Sequence, residues 1–163
     1  MTAPMFAFSL NNNPSASSNI EIDSSTPFIA ASNGELALLQ QSLSHLSAPA
    51  TIADTNGLTP LHSAASYSQI EVMRWLFAQT VDVNAKDSDG DTPLHHCDNV
   101  SAAKILVEEG RADYKTKNGE GKTAAEMKQE EVIEMGFGME EDMDDNEDMA
   151  NLDELVGYLK SLP

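Results

Sequence analysis

Basic residues and cysteine are scarce in this chain. Nine Lys and Arg stand against 27 Asp and Glu in 163 residues, for a formal net charge of −18. Such a surface repels a phosphate backbone, so direct nucleic-acid binding is not expected. The single cysteine, Cys97, cannot close an internal disulfide and gives no reason to expect an oxidising compartment. Aromatics amount to 6% and hydrophobic residues to 40%, enough for a modest core rich in Leu and Ala. No apolar run approaches the roughly 18–20 residues that cross a bilayer. No Lys or Arg precedes Arg74, so the basic n-region of a secretory signal and the arginines of a mitochondrial presequence are both missing. The expectation is a cytoplasmic or nuclear protein. Glycine-rich phosphate loops and a nucleophile elbow are missing too. No catalytic residue and no cofactor are expected.

What the chain does contain is a repeat. Thr59-Pro60-Leu61-His62 returns as Thr92-Pro93-Leu94-His95, 33 residues later. Asp54-x-x-Gly57 precedes the first copy and Asp87-x-x-Gly90 the second, at the same offset. A fixed period near 33 marks stacked repeats, in which each unit buries its apolar face only against its neighbours. Thr59 and Thr92 suit a helix N-cap. Pro60 and Pro93 suit the first helical position, where a missing N–H costs nothing. Asp-x-x-Gly supplies a side-chain acceptor for a turn and a residue that tolerates positive φ. The unit reads as turn, helix, helix.

In these residues the chain resembles the ankyrin-repeat family, whose pattern is Asp-x-x-Gly-x-Thr-Pro-Leu-His-x-Ala-Ala. Asp54 to Ala65 follows it closely. The segment Asp87 to Val107, with His95-His96-Cys97, resembles a branch of small fungal ankyrin proteins. The resemblance implies an all-α repeat solenoid of four ankyrin units, two regular and two degenerate caps, joined by short hairpin turns. The units fall at about 26–53, 54–86, 87–117 and 118–163, after a Ser- and Asn-rich segment 1–20 that reads as disordered. In the first unit Ala30-Ala31 aligns with Ala64-Ala65, and Phe28 stands at the motif-histidine position. The third unit replaces Ala-Ala by Cys97-Asp98 and is short. His62 to Leu76 spans 14 residues, but His95 to Leu106 spans 11, so its first helix should be stunted. In the fourth, Asn118-x-x-Gly121 repeats the turn signal. Its second helix comes late: Glu154-Leu155-Val156-x-Tyr158-Leu159 echoes Glu71-Val72-Met73-x-Trp75-Leu76. The acidic stretch at about 136–148 then becomes a loop inside the last unit.

Charge is uneven as well. From Glu126 to Pro163 there are 13 acids and two bases, giving 2 − 13 = −11. Such a surface attracts a basic protein and speeds its association at low salt. The plainer reading is a solvated loop that keeps the chain soluble.

The resemblance also implies where a partner sits. The family's variable positions are the turn tips and the residues after Ala-Ala, which together form the concave face. Here they are Thr55, Asn56, Leu58, Ser66 and Tyr67 in the second unit. In the third they are Ser88, Asp89 and Asp91, with His96 nearby, and in the fourth Glu120 and Lys122. Tyr67 is the candidate anchor, because an exposed aromatic can dominate binding; its alternative is packing against the next unit. The cluster His95-His96-Cys97-Asp98 with His62 raises a zinc reading, but adjacent helical residues diverge by about 100°, so His95, His96 and Cys97 cannot all face one ion and no metal site is expected. The last segment carries Leu152, Leu155, Val156, Leu159 and Leu162 at helical spacing, with Asn151-x-x-Glu154 as a cap signature. It either caps the stack or detaches into a partner's groove. The function implied is a non-enzymatic, monomeric protein-binding module, an acidic chaperone or escort for a basic protein. The alternative is a scaffold, adaptor or inhibitor of a non-basic regulator or enzyme.

Overall fold

In the computed structural model, residues 21–137 and 146–163 are described. The segment 1–20, expected to be disordered, and residues 138–145, the middle of the acidic stretch, lie outside the described residues. The helices are α1 (Thr26–Asn33), α2 (Leu36–His45), α3 (Pro60–Ser66), α4 (Ile70–Phe77), α5 (Val100–Lys104), α6 (Ala124–Phe137) and α7 (Asn146–Ser161). A π-helical turn, Ile105–Glu109, continues α5. The isolated bridge Lys117–Thr123 is the only β-pairing among the described residues.

These helices pack in two layers. α1 lies on α3, and each also packs on the helix that follows it, α2 or α4. The second layer continues through the π-turn against α4, and α7 packs on both α5 and α6. The alanine pairs explain the first layer. Ala30, Ala31, Ala64 and Ala65 are wholly buried, and methyl side chains let the helices approach closely. Between the layers lie Leu39, Leu61, Met73, Leu76, Leu94, Leu106 and Leu155.

The third unit has no first helix. Thr92 to His96 make one hydrogen-bonded turn, with His95 N–H on the Thr92 carbonyl at 2.9 Å and Cys97 N–H on the Leu94 carbonyl at 3.4 Å. Asn99 then starts α5, its side chain accepting from Ser101 N–H at 2.7 Å. The missing residues are those of the absent helical turns, and buried Leu94 and Cys97 fill the space.

The last pair is longer than expected. α6 continues through Gly136 to Phe137, and α7 starts at Asn146, five residues before Asn151. Packing of α6 along α7 outweighs the helix-weakening glycine, since tertiary contact supplies most helix stability in proteins. Both ends of the acidic stretch are therefore helical. The displaced register appears residue by residue: Val72, Met73 and Leu76 are buried in α4, and Leu155, Val156 and Leu159 in α7. Trp75 and Tyr158 are each half-buried.

Candidate functional site

Three turns of one design project from the stack. In the first, Asp54 N–H bonds the Leu58 carbonyl at 2.9 Å, and Asp54 Oδ1 accepts from Asn56 and Leu58 N–H. Asp87 repeats this with Asp89 and Asp91, and Asn118 with Glu120 and Lys122. Gly57, Gly90 and Gly121 turn each tip at φ 78°, 79° and 78°. The fingers are joined edge to edge. Ser88 N–H and hydroxyl both donate to the Asn56 carbonyl, at 2.8 and 2.7 Å, and Gly119 N–H donates to the Asp89 carbonyl at 2.8 Å.

The second and third fingers are each tied to the unit before them by a histidine. His62 Nδ1 accepts from Thr59 N–H at 3.1 Å and lies 2.9 Å from the Thr59 hydroxyl. A nitrogen that accepts from a backbone amide carries no proton. The ring's one proton therefore sits on Nε2, which donates to the Asp91 carbonyl at 3.2 Å. His95 repeats the pattern with Thr92 and the Lys122 carbonyl. Burial holds both histidines below their ordinary pKa, against the opposing pull of those carbonyls.

His96, not His95, is the ring that meets His62. Their centroids are 5.3 Å apart at 88°, and His96 Nε2 lies 2.8 Å from Asp87 Oδ2. Burial pushes the Asp87 carboxyl up, but hydrogen bonds from His96 and from Asp91 and Asp89 N–H hold it below the usual range. His62, Asp87 and His96 thus gather donor atoms within 4.8 Å of one another. The sequence set His62 beside the His95-His96-Cys97-Asp98 cluster, but gave no sign that Asp87 joins His62 and His96. The trio is nonetheless poor in free lone pairs. His62 uses one nitrogen as an acceptor from Thr59 and the other as a donor to Asp91, so neither can ligate without breaking the helix-cap bond or the inter-unit bond.

The eleven predicted positions therefore differ in what they offer. Ser88 is spent on Asn56, and the Asp91 carboxylate accepts from Asn118 Nδ2 at 2.8 Å. His96 is held by Asp87. Lys122 pairs with Glu120 at 2.9 Å and with Glu130. Leu58 and Ser66 are half-buried. Thr55, Asn56, Tyr67, Asp89 and Glu120 are exposed, and Tyr67 is 66% exposed. Tyr67 is the C-cap of α3. Among the described residues the Asp89 carboxylate makes no hydrogen bond.

Two further features, at Ile29 and Lys128, were not legible in the sequence. Ile29 is 53% exposed and borders an open groove of about 580 Å³ with Phe28 and Ile52. Lys128 is buried and pairs with Asp98. Cys97 is a buried small residue: burial, with help from Asp98, pushes its thiol up to about 12, so it is no nucleophile at neutral pH. α7 lies docked, with Leu152, Leu155, Val156 and Leu159 buried. Its Tyr158 hydroxyl donates to Glu108 at 3.3 Å, and Tyr114 donates to the Pro163 carbonyl. Among the described residues no helix is long and apolar enough to cross a membrane.

Residues 27–118 match a model of ankyrin repeats in three copies. The chain is 36% identical over 100 residues to an ankyrin repeat-containing protein of Schizosaccharomyces pombe, covering 61% of this chain and 48% of that protein. It is 34% identical over 100 residues to the RelA-associated inhibitor of Mus musculus, covering 60% of this chain and 12% of the relative. Protein phosphatase 1 regulatory subunit 12A of the same organism is 40% identical over 81 residues, covering 48% of this chain and 8% of that protein. The matches thus span about half of the fungal relative and about a tenth of the two mouse proteins. Finger turns, threonine–histidine tethers and alanine-lined helix pairs account for the residues that the family model matches, and the chain belongs to the ankyrin-repeat family.

Proposed function

We propose that this chain is a non-enzymatic protein-binding module that uses its finger tips and the exposed end of α3 to hold a basic protein, as an acidic chaperone or escort. Two observations support this most directly: an exposed aromatic, Tyr67, after α3, and at a finger tip the carboxylate of Asp89, which makes no hydrogen bond among the described residues. The aromatic supplies area for a central anchor. The carboxylate selects a cation, and the net charge of −18 attracts a basic partner over longer distance. The structural cysteine and the committed histidines leave no evident nucleophile–base pair among the described residues.

The second reading is an adaptor or inhibitor of a non-basic regulator. The names of two relatives, an inhibitor and a regulatory subunit, favour it. So does the apolar groove at Ile29. Salt separates the two readings. Proteins captured on the intact chain would be identified, and their affinity measured for intact, Tyr67→Ala and Asp89→Asn chains as salt is raised. The escort reading expects basic partners, weaker binding by both variants, and a steep loss of affinity with salt. Neutral partners with salt-independent affinity would overturn it and favour the adaptor.

A further inference from the structure

We infer that the open edge of the finger row is a docking strip for an extended segment, and that its occupant is the chain's own Phe6–Leu10. The row has a fixed hydrogen-bond rule. The residue after each turn-forming Asp or Asn donates its N–H to the finger before it: Ser88 to the Asn56 carbonyl and Gly119 to the Asp89 carbonyl, both at 2.8 Å. Thr55 holds that place in the first finger. Among the described residues its N–H has no acceptor. The carbonyl at the matching spacing, that of Asp23, accepts from Thr26 N–H at 3.2 Å and serves the start of α1 instead. One edge of the row therefore ends on a donor that is unpaired among the described residues.

The groove of about 580 Å³ runs along this same edge, bordered by Ser25, Phe28, Ile29, Ile52 and Thr55. Its apolar character has a local cause. The position that is His62 or His95 in the next units, where a ring nitrogen ties the following finger, is Phe28 here. Ile29 beside it is 53% exposed. An unpaired backbone donor beside an apolar trough is the recognition geometry of strand addition, in which main-chain bonds hold the segment and alternate side chains fill pockets.

Phe6, Phe8 and Leu10 alternate with Ala7 and Ser9, so an extended Phe6–Leu10 presents one apolar face. Asn11-Asn12-Asn13-Pro14 follows, a composition that reverses chains. Ten residues separate Leu10 from Glu21, which span up to roughly 33 Å extended, and the groove borders Ser24 and Ser25. Residues 1–20 hold no charged side chain, so an acidic stack does not repel them. Tethering makes a weak contact sufficient, because a linker long enough to span the distance makes docking intramolecular. Docking covers an exposed edge that would otherwise pair with another chain. The inference does not depend on the client proposed above.

The test uses the full chain and its Phe6→Ser/Phe8→Ser variant, both with labelled isoleucine methyls. Docking predicts that the Ile29 and Ile52 methyl signals shift in the variant while Ile70 and Ile105 stay. It also predicts that the Thr55 amide exchanges at least about tenfold faster. A synthetic peptide of residues 1–12 added to the variant should restore the shifts, and the same peptide with both phenylalanines replaced should not. Identical Ile29, Ile52 and Thr55 signals in the two full chains would overturn the inference. A shift that depends on protein concentration, with dimers in sedimentation, would also overturn it, by making a second copy the occupant.

Discussion

Lys128 reaches from α6 to Asp98, Nζ to Oδ1 at 2.6 Å, and bridges the shortened third unit to the fourth. The two are unequally placed: the lysine side chain is 6% exposed and the aspartate 60%. Burial opposes the lysine's charge, but hydrogen bonds to Asp98 and then Glu131 outweigh it and raise its pKa. Asp98 stands where the regular unit has an alanine, so the departure and its compensation belong together.

That inequality predicts an asymmetric response. Asp98→Ala leaves a buried ammonium with Glu131 alone and should cost about 1–3 kcal/mol. Lys128→Met leaves a hydrated aspartate and an apolar stem, and should cost less than about 1 kcal/mol. In the Lys128→Met chain, Asp98→Ala should be nearly silent. Urea unfolding of the four chains measures this. Equal losses from both single substitutions would refute the unequal burial argument.

Gly90 and Gly121 share a backbone conformation, φ 79° and 78°, but not surroundings. A Cβ on Gly90 would stand 2.6 Å from Gly119 N, on the rung that joins two fingers, whereas nothing lies within 4 Å at Gly121. Gly121→Ala should cost only the left-handed strain, about 1 kcal/mol. Gly90→Ala adds a backbone clash and should cost at least about 1 kcal/mol more. Thermal unfolding of the two variants isolates the rung, and Gly119 amide exchange should accelerate only in Gly90→Ala.

The regular part of this architecture was legible because its signals are local. Turn glycine, cap threonine, first-turn proline and alanine pair each act within a few residues, so one sequence shows them. The short third unit was legible from a count between His95 and Leu106. What could not be read depends on distant neighbours. Nothing near Asp98 announces Lys128, nothing in His95-His96 says that His62 turns towards His96, and no spacing shows that Asn118 occupies Asp91. Site positions carried over from a family pattern are therefore a mixture. Among the described residues the Asp89 carboxylate is unbonded and Tyr67 is exposed, while Ser88 and Asp91 bond neighbouring units and Lys122 pairs within its own.

The tethers make the stack acid-sensitive. His62 and His95 are neutral in the folded chain, and burial keeps their pKa below the ordinary value. An unfolded histidine titrates near about 6.5. Below that pH the unfolded chain binds protons that the folded chain refuses, so stability present above about pH 6.5 is lost as pH falls towards the lowered folded values. Each histidine can remove up to about 1.4 kcal/mol per pH unit in that window. Urea unfolding at pH 7.5 and 5.5 should show the loss, and His62→Gln/His95→Gln should show a smaller difference between the two pH values. Asp87 acts with the same sign at lower pH, since its depressed carboxyl contributes stability that disappears only as it protonates. An unchanged pH difference in the double variant would mean that the tethers do not titrate as their geometry requires.

Tyr67 and Asp89 should divide the work of binding in time. Asp89 is an exposed tip charge whose carboxylate makes no hydrogen bond among the described residues, so it acts on approach and is screened by salt. Tyr67 offers a rigid ring that must be desolvated against the partner, so it acts after contact. In kinetic binding to a captured basic client, Asp89→Asn should lower the association rate several-fold at low salt, and its effect should fade as salt rises. Tyr67→Ala should mainly raise the dissociation rate, by about tenfold or more for an anchor worth at least 1.4 kcal/mol, at every salt concentration. Asp91→Asn is the internal control. Its carboxylate already accepts from Asn118 at 2.8 Å, so this substitution should lower stability and leave the association rate unchanged. If Asp91→Asn slowed association as strongly as Asp89→Asn, the partner would be sensing total charge rather than the finger tip, and Asp89 would lose its particular role.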